Sequence, residues 1–220
     1  MNDAARSKPA VDFYFDTSCP FSYLALDRVR EAAIRTGSRV VYRPVLVDDI
    51  LRKANPGFAA DRAEPVPARA RYQAKDLADW ARYCGLTLRR PQPWPFRAEW
   101  AQRGAVAAAR LAVSPAAYVA AVFHALFADN LAISELAIVE SLAASAGLDP
   151  RQFAAAIRDP QTLVEVASNG AALLAQGGFG TPSLLVGADL YFGNDRLPLV
   201  EAALARQAGM RLVLPGAHGA

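Results

Sequence analysis

The sequence predicts an α/β fold in which a small sheet is interrupted by a large all-helical insertion. Three observations predict it: a strand–helix–strand unit spans residues 9–48, strand signals nearly vanish from 49 to 159, and a helix, two strands and a last helix follow in 160–220. We therefore expect the first and last segments to form one sheet together, and the middle segment to form a helical domain.

The first segment reads as a βαβ unit. An alternating aromatic strand is predicted over Val11–Asp16 and a second strand over Arg39–Val47. The apolar-periodic run Tyr23–Ile34 between them predicts a helix, which ends at the stop signal in residues 36–38. Because a helical crossover normally joins parallel strands, these two strands should lie parallel in one sheet.

The middle segment consists of Ala- and Leu-rich runs with helical periodicity, several of which begin with a capping Ser or a first-turn Pro. The predicted helices are Arg69–Tyr83, Phe96–Ala112, Pro115–Ala128, Ser134–Ala146 and Pro150–Ile157. A proline-rich connector, Pro91–Pro95, lies before the second of them and carries Trp94. Such a stiff connector either lines a cleft or serves as a surface linker.

The last segment starts with a helix predicted over Gln161–Gln176. The strands Ser183–Val186 and Asp189–Phe192 follow, separated by the two-residue turn Gly187-Ala188, which predicts a hairpin. Up to this point the order of elements is βαβ, a helical block, then αββ.

A closing helix is predicted over Leu197–Arg206, and either Asn194 or Asp195 is placed to cap it. The N–H groups of that helix would then lie near a site for an anion. The complete order, βαβ, helices and αββα, is that of a thioredoxin-like sheet split by a helical insert.

Composition narrows the class of protein. With 220 residues, 53% of them hydrophobic and 20% charged, the chain can bury a substantial core. Residues 1–10 lack the apolar core of a signal peptide, and two cysteines are too few for a disulfide framework, so we expect a cytoplasmic protein. No apolar run reaches membrane-spanning length, no ligand cluster suggests a metal, and the basic residues behind the net charge of +3 are dispersed among acidic ones. Membranes, metals and nucleic acids are therefore not expected partners.

The strongest chemical signal is Cys19, which stands immediately before Pro20 where the first helix should begin. Unpaired N–H groups and the positive end of the helix dipole stabilise a thiolate at such a position. We therefore predict a reactive thiol, with an inert buried cysteine as the alternative. The other cysteine, Cys84, ends a helix and is expected to be a packing residue, although a role in resolving a disulfide stays open.

Two separated motifs resemble a known family. One is the segment Asp12–Ala25, with its core CPFSYLA, and the other runs from Gly178 to Leu197 through FGTPS and YFGNDRL. Together with the stretch Tyr72–Gly85 they resemble the 2-hydroxychromene-2-carboxylate isomerases, which belong with the kappa-class glutathione transferases in the DsbA-like branch of the thioredoxin superfamily. The resemblance implies a thioredoxin-like fold with a helical insertion, glutathione as cofactor, a small conjugated aromatic acid as substrate, and a homodimer.

The resemblance also implies roles for residues of the second motif. Thr181 and Pro182 match a loop in which the proline peptide is cis and the preceding backbone pairs with the cysteinyl part of glutathione. Asn194 and Asp195 match a motif that holds the γ-glutamyl end, Asp195 through the ammonium group.

Substrate contacts are less well defined, because the helical segment does not align cleanly with the family. Phe21, Trp94 and Arg97 are the candidates, Arg97 because a guanidinium suits a carboxylate. The alternatives are core packing for the aromatic residues and a solvated helix start for the arginine.

The chain departs from the family at Cys19. The isomerases typically have a serine there, whose hydroxyl donates to the glutathione thiolate, whereas DsbA-like oxidoreductases have the nucleophilic cysteine of C-x-x-C. Here Ser22 replaces the second cysteine, so the thiol can form a mixed disulfide but cannot complete a dithiol cycle with it. We therefore rank a glutathione-dependent isomerase or transferase first, a monothiol disulfide oxidoreductase or a transferase with Cys19 as nucleophile second, and a non-catalytic scaffold that binds thiols or peptides third.

Overall fold

The computed structural model describes residues 8–57, 60, 66–91, 96–112 and 114–211, and in them the chain forms one mixed sheet. Its strands are β1 (Ala10–Phe15), β2 (Arg39–Pro44), β3 (Ser183–Val186) and β4 (Asp189–Phe192), in the order β2-β1-β3-β4. The β1 and β2 strands are parallel, and β3 is antiparallel to both β1 and β4. The predicted βαβ unit and the predicted hairpin are thereby confirmed.

The helices that the structure describes surround this sheet. They are α1 (Pro20–Arg35), α2 (Val47–Ala54), α3 (Pro67–Cys84), α4 (Glu99–Leu111), α5 (Ala116–Phe127), α6 (Leu136–Ser145), α7 (Pro150–Arg158), α8 (Pro160–Ala175) and α9 (Leu197–Gln207). All except α2 were predicted, with ends within a few residues. None of the described helices is long and apolar enough to cross a membrane.

The α2 helix is a correction to the sequence prediction. The predicted second strand ran to Val47, but β2 ends at Pro44 and Val47 is the first residue of α2. The apolar run from Val45 looks like strand, yet Val47, Ile50 and Leu51 are buried at helical spacing. Two aspartates in the first turn also favour a helix start through the helix dipole.

The start of α9 is a second correction. Residues Asn194–Arg196 form a 3₁₀ turn, Arg196 is the N-cap of α9, and no side chain caps that helix. Neither Asn194 nor Asp195 is therefore the predicted cap, because the extra turn places both before the helix start. Gly193 opens this turn at φ +100°, a conformation that a residue with a Cβ rarely adopts.

One aromatic core joins the sheet to the helical insertion. The Phe15 ring of β1 lies 6.0 Å from that of Phe123 on α5, and Tyr23 of α1 stacks on Phe127 of α5 at 5.2 Å. Aromatic pairs at these distances add to the apolar area that they bury. The insertion is thus packed directly against the strand and the helix on either side of Cys19.

Candidate active site

Cys19 occupies the helix start that the sequence predicted. It is the N-cap of α1, with extended backbone at φ −90° and ψ 114°, and Pro20 is the first helical residue. The Cys19 carbonyl accepts hydrogen bonds from the N–H groups of Ser22 and Tyr23, at 3.1 and 3.2 Å. Proline suits the first helical position because it needs no N–H partner there. The Cys19 side chain itself is half-buried.

The two sequence motifs meet at this thiol. The Cys19 Sγ donates to the carbonyl oxygen of Thr181 at 3.3 Å, although 162 positions separate the two residues. The Thr181-Pro182 peptide is cis, which confirms that prediction. The contact is possible because β1 and β3 pair antiparallel, with Tyr14 opposite Ser183, so the loop after β1 lies beside the loop before β3.

Unsatisfied buried polar atoms occur in the same two motifs. In the part of the chain that the structure describes, the buried side-chain atoms without a hydrogen-bond partner are Thr17 Oγ1, Ser22 Oγ, Thr181 Oγ1 and Asn194 Nδ2. All four belong to the two motifs. Buried polar atoms are nearly always hydrogen-bonded, so atoms without a partner mark these two motifs as candidates for contact with the polar groups of a ligand.

The turn that carries Asn194 and Asp195 is tied to the helix of Cys19. Arg28 of α1 donates from Nη1 to the Asn194 carbonyl oxygen at 2.9 Å. The Asp195 carboxylate is about half exposed and pairs with Arg196 at 2.6 Å. An exposed ion pair between neighbours contributes little free energy, so the carboxylate stays accessible to an ammonium group.

The candidate substrate residues have different surroundings. Phe21 is half-buried in the first turn of α1, next to Cys19 in the chain, whereas Trp94 lies outside the described residues. Arg97 forms a bidentate ion pair with Asp49 of α2, with N–O distances of 3.1 and 3.2 Å. A substrate carboxylate would have to compete with Asp49 for this guanidinium.

The charges around Asp49 favour the ion pair between Asp49 and Arg97. Partial burial opposes ionisation of Asp49, but the hydrogen bonds and charges of Arg97 and Arg52 outweigh it and lower the pKa of the Asp49 carboxyl. Asp49 therefore remains an anion that holds Arg97 at neutral pH.

Cys84 lies apart from these contacts. Its Sγ is 3.8 Å from the carbonyl oxygen of Leu24 on α1, and burial raises the pKa of the thiol. Both cysteines are free thiols. Cys84 is thus placed as a packing residue between α3 and α1, as expected.

Sequence reasoning missed Asp16, which shapes the turn that carries Cys19. The Asp16 carboxylate is 2% exposed and accepts from the Ser18 N–H, the Ser18 hydroxyl and the Val47 N–H at 2.7–2.8 Å. Burial raises the pKa of this carboxyl, against the opposing effect of its hydrogen bonds. An aspartate two residues before a serine at the end of a strand is typical of a turn in which the carboxylate accepts from the backbone N–H two residues on, and this pattern could have predicted the role of Asp16.

Sequence reasoning also missed Gln102, a buried residue of α4 whose amide accepts a hydrogen bond from Thr17 in the turn before Cys19. A glutamine inside an Ala-rich helix carries no chemical signature, so no pattern in the chain connects it with Cys19. Elsewhere in the described residues, no three His, Cys, Asp or Glu side chains form a group that could hold a metal.

Comparison with known proteins agrees with this geometry. A family model described as a DSBA-like thioredoxin domain matches residues 10–205. The chain belongs to this family. Its DsbA-like thioredoxin fold, with a helical insertion in the sheet, is therefore the fold class that the order of elements predicted.

Individual relatives support the more specific resemblance. The 2-hydroxychromene-2-carboxylate isomerase of Sphingobium xenophagum is 28% identical over 194 residues, which cover 88% of this chain and 97% of the relative. The Pseudomonas putida protein of the same name is 28% identical over 200 residues, which cover 89% of this chain and 94% of the relative. The resemblance predicted from the two motifs is confirmed.

Two solved structures are similar over nearly the whole chain. A 2-hydroxychromene-2-carboxylate isomerase superposes with a TM-score of 0.73 at 26% identity and covers 90% of this chain and 95% of its own. The cytosolic disulfide reductase DsbM of Pseudomonas aeruginosa, solved with GSH, has a TM-score of 0.62 at 19% identity and covers 90% and 96%. The second likeness concerns the fold alone.

Proposed function

We propose that this protein is a glutathione-dependent isomerase of the 2-hydroxychromene-2-carboxylate type, which acts on a small conjugated aromatic acid during the breakdown of aromatic compounds. It is an enzyme, as its relatives are, and its substrate is a small molecule. The observation that carries the proposal is that the two sequence motifs meet at the Cys19 thiol, which donates to the Thr181 carbonyl oxygen, and that the unpartnered buried polar atoms of the described residues all belong to these motifs. From the composition we place the protein in the cytoplasm, and from the family resemblance we expect a homodimer. Sedimentation at twice the chain mass tests the dimer.

The residues at the site suit a thiol tripeptide. In line with the family resemblance, the backbone of Thr181, before Pro182, would pair with the cysteinyl backbone of glutathione as a short strand addition. The buried Nδ2 of Asn194 is a donor in need of an acceptor, which a γ-glutamyl carboxylate provides. The exposed carboxylate of Asp195 suits the ammonium group.

Bound glutathione supplies a nucleophilic thiolate that adds reversibly to a conjugated substrate and is eliminated after isomerisation. In this mechanism Cys19 is a hydrogen-bond donor and not the attacking group. Its S–H donates to the Thr181 carbonyl oxygen, and we expect it to turn from that oxygen to a sulfur anion bound nearby. The helix start at Pro20 adds a field that favours negative charge at the same point.

The proposal is tested by binding and turnover on one variant. We expect glutathione to bind the wild-type protein in a calorimetric titration, and turnover of 2-hydroxychromene-2-carboxylate to require glutathione. Cys19→Ser should keep or raise that turnover, because a hydroxyl donates at least as well as a thiol. If Cys19→Ser binds glutathione normally but loses isomerisation, the proposed mechanism is wrong.

A second function is favoured by the thiol itself, since a half-buried cysteine at a helix start is well placed to attack a disulfide. Its thiolate would attack one sulfur and release the other as a thiol. A glutathione thiolate would then attack the substrate sulfur of the mixed disulfide, regenerating Cys19 and leaving a glutathione–substrate disulfide. A second glutathione thiolate would attack the glutathione sulfur of that disulfide, releasing the second substrate thiol and forming glutathione disulfide. Glutathione-dependent reduction of a small disulfide by the wild-type protein, without any isomerase turnover, would establish this function instead; binding with neither activity would favour the scaffold.

A further inference from the structure

A buried amide on the helical insertion bonds to the turn that presents Cys19. Gln102 of α4 is completely buried, and its Nε2 donates to the carbonyl oxygens of Phe15 at 2.8 Å and Val45 at 2.5 Å. Its Oε1 accepts from the backbone N–H of Thr17 at 3.3 Å. One side chain thereby joins the end of β1, the segment after β2, and the residue two places before Cys19.

The Gln102 contacts hold both sides of Asp16. Phe15 and Thr17 flank Asp16, whose carbonyl oxygen accepts from the Cys19 N–H at 2.9 Å and whose carboxylate accepts from Ser18. The path from the α4 amide to the N-cap residue of α1 therefore consists of hydrogen bonds to consecutive backbone groups. A displacement of residues 15–17 would be transmitted to Cys19.

Small neighbouring side chains let Gln102 reach the backbone of residues 15–17 and Val45. Ala101 and Ala105, its neighbours on the inner face of α4, are at most 1% exposed. Small side chains allow the helix backbone to approach the ends of the strands closely, so that a glutamine reaches across. Its donors and its acceptor are all used, which makes this a satisfied polar contact in the core.

We propose that Gln102 is a positioning residue, which sets the place of the Cys19 turn relative to the helical insertion. This inference rests on the proposed function in one respect: it takes the helical insertion to form the side of the site that binds the substrate. Without the Gln102 amide, the chain would still fold around its aromatic core, but the thiol and the sulfur held beside it would no longer be fixed against the substrate.

A matched control exists on the neighbouring helix. Asn169 of α8 is also a buried amide, and its Nδ2 donates to the carbonyl oxygen of Pro44 at 3.1 Å. Pro44 immediately precedes Val45, so the two amides hold adjacent backbone carbonyls. The Asn169 hydrogen bond reaches the end of β2 and not the turn from Phe15 to Cys19.

The experiment compares Gln102→Met with Asn169→Leu under conditions in which circular dichroism shows each variant to be folded. Iodoacetamide labelling, read for Cys19 by peptide mass spectrometry, reports the turn independently of any activity. We expect Gln102→Met to lower both the Cys19 labelling rate and kcat by about tenfold or more, because small displacements of reacting groups cost rate steeply. The KM for glutathione should change less than kcat, and Asn169→Leu should leave the labelling rate and kcat within about twofold of wild type.

Equal labelling rates and equal kcat in the two variants would overturn the proposal and leave Gln102 a structural residue. If Gln102→Met does not fold, Gln102→Asn, which keeps the amide and loses one methylene, is judged by the same criteria. If the wild-type protein neither binds glutathione nor isomerises the substrate, the proposed function fails, while the labelling comparison still decides the role of Gln102.

Discussion

The two cysteines of this chain occupy opposite ends of helices, and the contrast separates a reactive position from a packing position. Cys19 is the N-cap of α1, at the positive end of the helix dipole, whereas Cys84 is the last residue of α3, at the negative end. Each thiol contacts a carbonyl oxygen, Cys19 that of Thr181 and Cys84 that of Leu24. The type of residue and the type of partner are the same, so the helix end and the neighbouring unsatisfied atoms distinguish them.

The largest expected effect concerns the nucleophile. If Cys19 attacks disulfides, Cys19→Ser should lower glutathione-dependent disulfide reduction by orders of magnitude, because a serine hydroxyl is a far weaker nucleophile at neutral pH. The assay follows glutathione disulfide formed with a small disulfide substrate, and Cys84→Ser is the control that should retain the rate. A larger loss in Cys84→Ser than in Cys19→Ser would reverse the contrast between the two thiols.

The next effect compares the thiols in one protein. Under native conditions iodoacetamide should label Cys19 on the order of ten to a hundred times faster than Cys84, since burial raises the pKa of Cys84, whereas the helix start favours negative charge at Cys19. Peptide mass spectrometry of a time course gives both rates, and unfolding in denaturant should bring them together. Equal rates in the folded protein would remove the basis for treating Cys19 as a site.

A smaller effect tests the far end of the proposed glutathione site. Asp195→Ala should weaken glutathione binding by about 1 to 3 kcal/mol, because the ammonium group loses a charged partner. Asp189→Ala is a suitable control, since Asp189 is an exposed aspartate that pairs with Arg206 on the same part of the fold. Isothermal calorimetry measures both variants, and an unchanged affinity in Asp195→Ala would leave that residue without a role in binding.

The smallest expected effect is the pH-dependent contribution of Asp16, in the turn before Cys19, to the free energy of unfolding. Burial raises the pKa of Asp16 above its ordinary value of 3.8, so the folded state binds the proton more tightly than the unfolded state. The contribution of Asp16 to stability is therefore complete below that ordinary value and is lost as the pH rises through the folded-state pKa.

Urea unfolding of the wild-type protein and of Asp16→Asn over a range of pH isolates this contribution. The free energy of unfolding of wild type relative to the variant should increase as the pH falls from neutrality toward 4. Parallel curves, or a difference that grows with rising pH, would contradict the burial argument.

Local patterns account for most of what could be predicted. The Ser183–Val186 and Asp189–Phe192 strands, their two-residue turn, and the start of α1 at Cys19 all follow from signals within a few positions of the residues concerned. The cis peptide before Pro182 was predicted from the family resemblance. Periodicity, turn chemistry and proline geometry act over short distances along the chain, and therefore the sequence shows them directly.

The failures have a common cause. The start of α2 at Val47 depends on the Asp16 carboxylate, 31 positions away, and Arg97 finds Asp49 across 48 positions. The caps predicted for α9 were wrong because a 3₁₀ turn intervenes, and the Asn194 carbonyl in that turn is held by Arg28 from another helix. In each case the partner belongs to a different element.

By itself, then, the sequence determined the strands and every described helix except α2, their order, the helix start at Cys19, and the family motifs. Only the tertiary structure decided that Thr181 faces the thiol, that Arg97 is paired, and that Gln102 holds the turn from 85 positions away. The physical reason is that a hydrogen bond requires two groups within about 3 Å, and distance along a chain says little about distance in the folded protein.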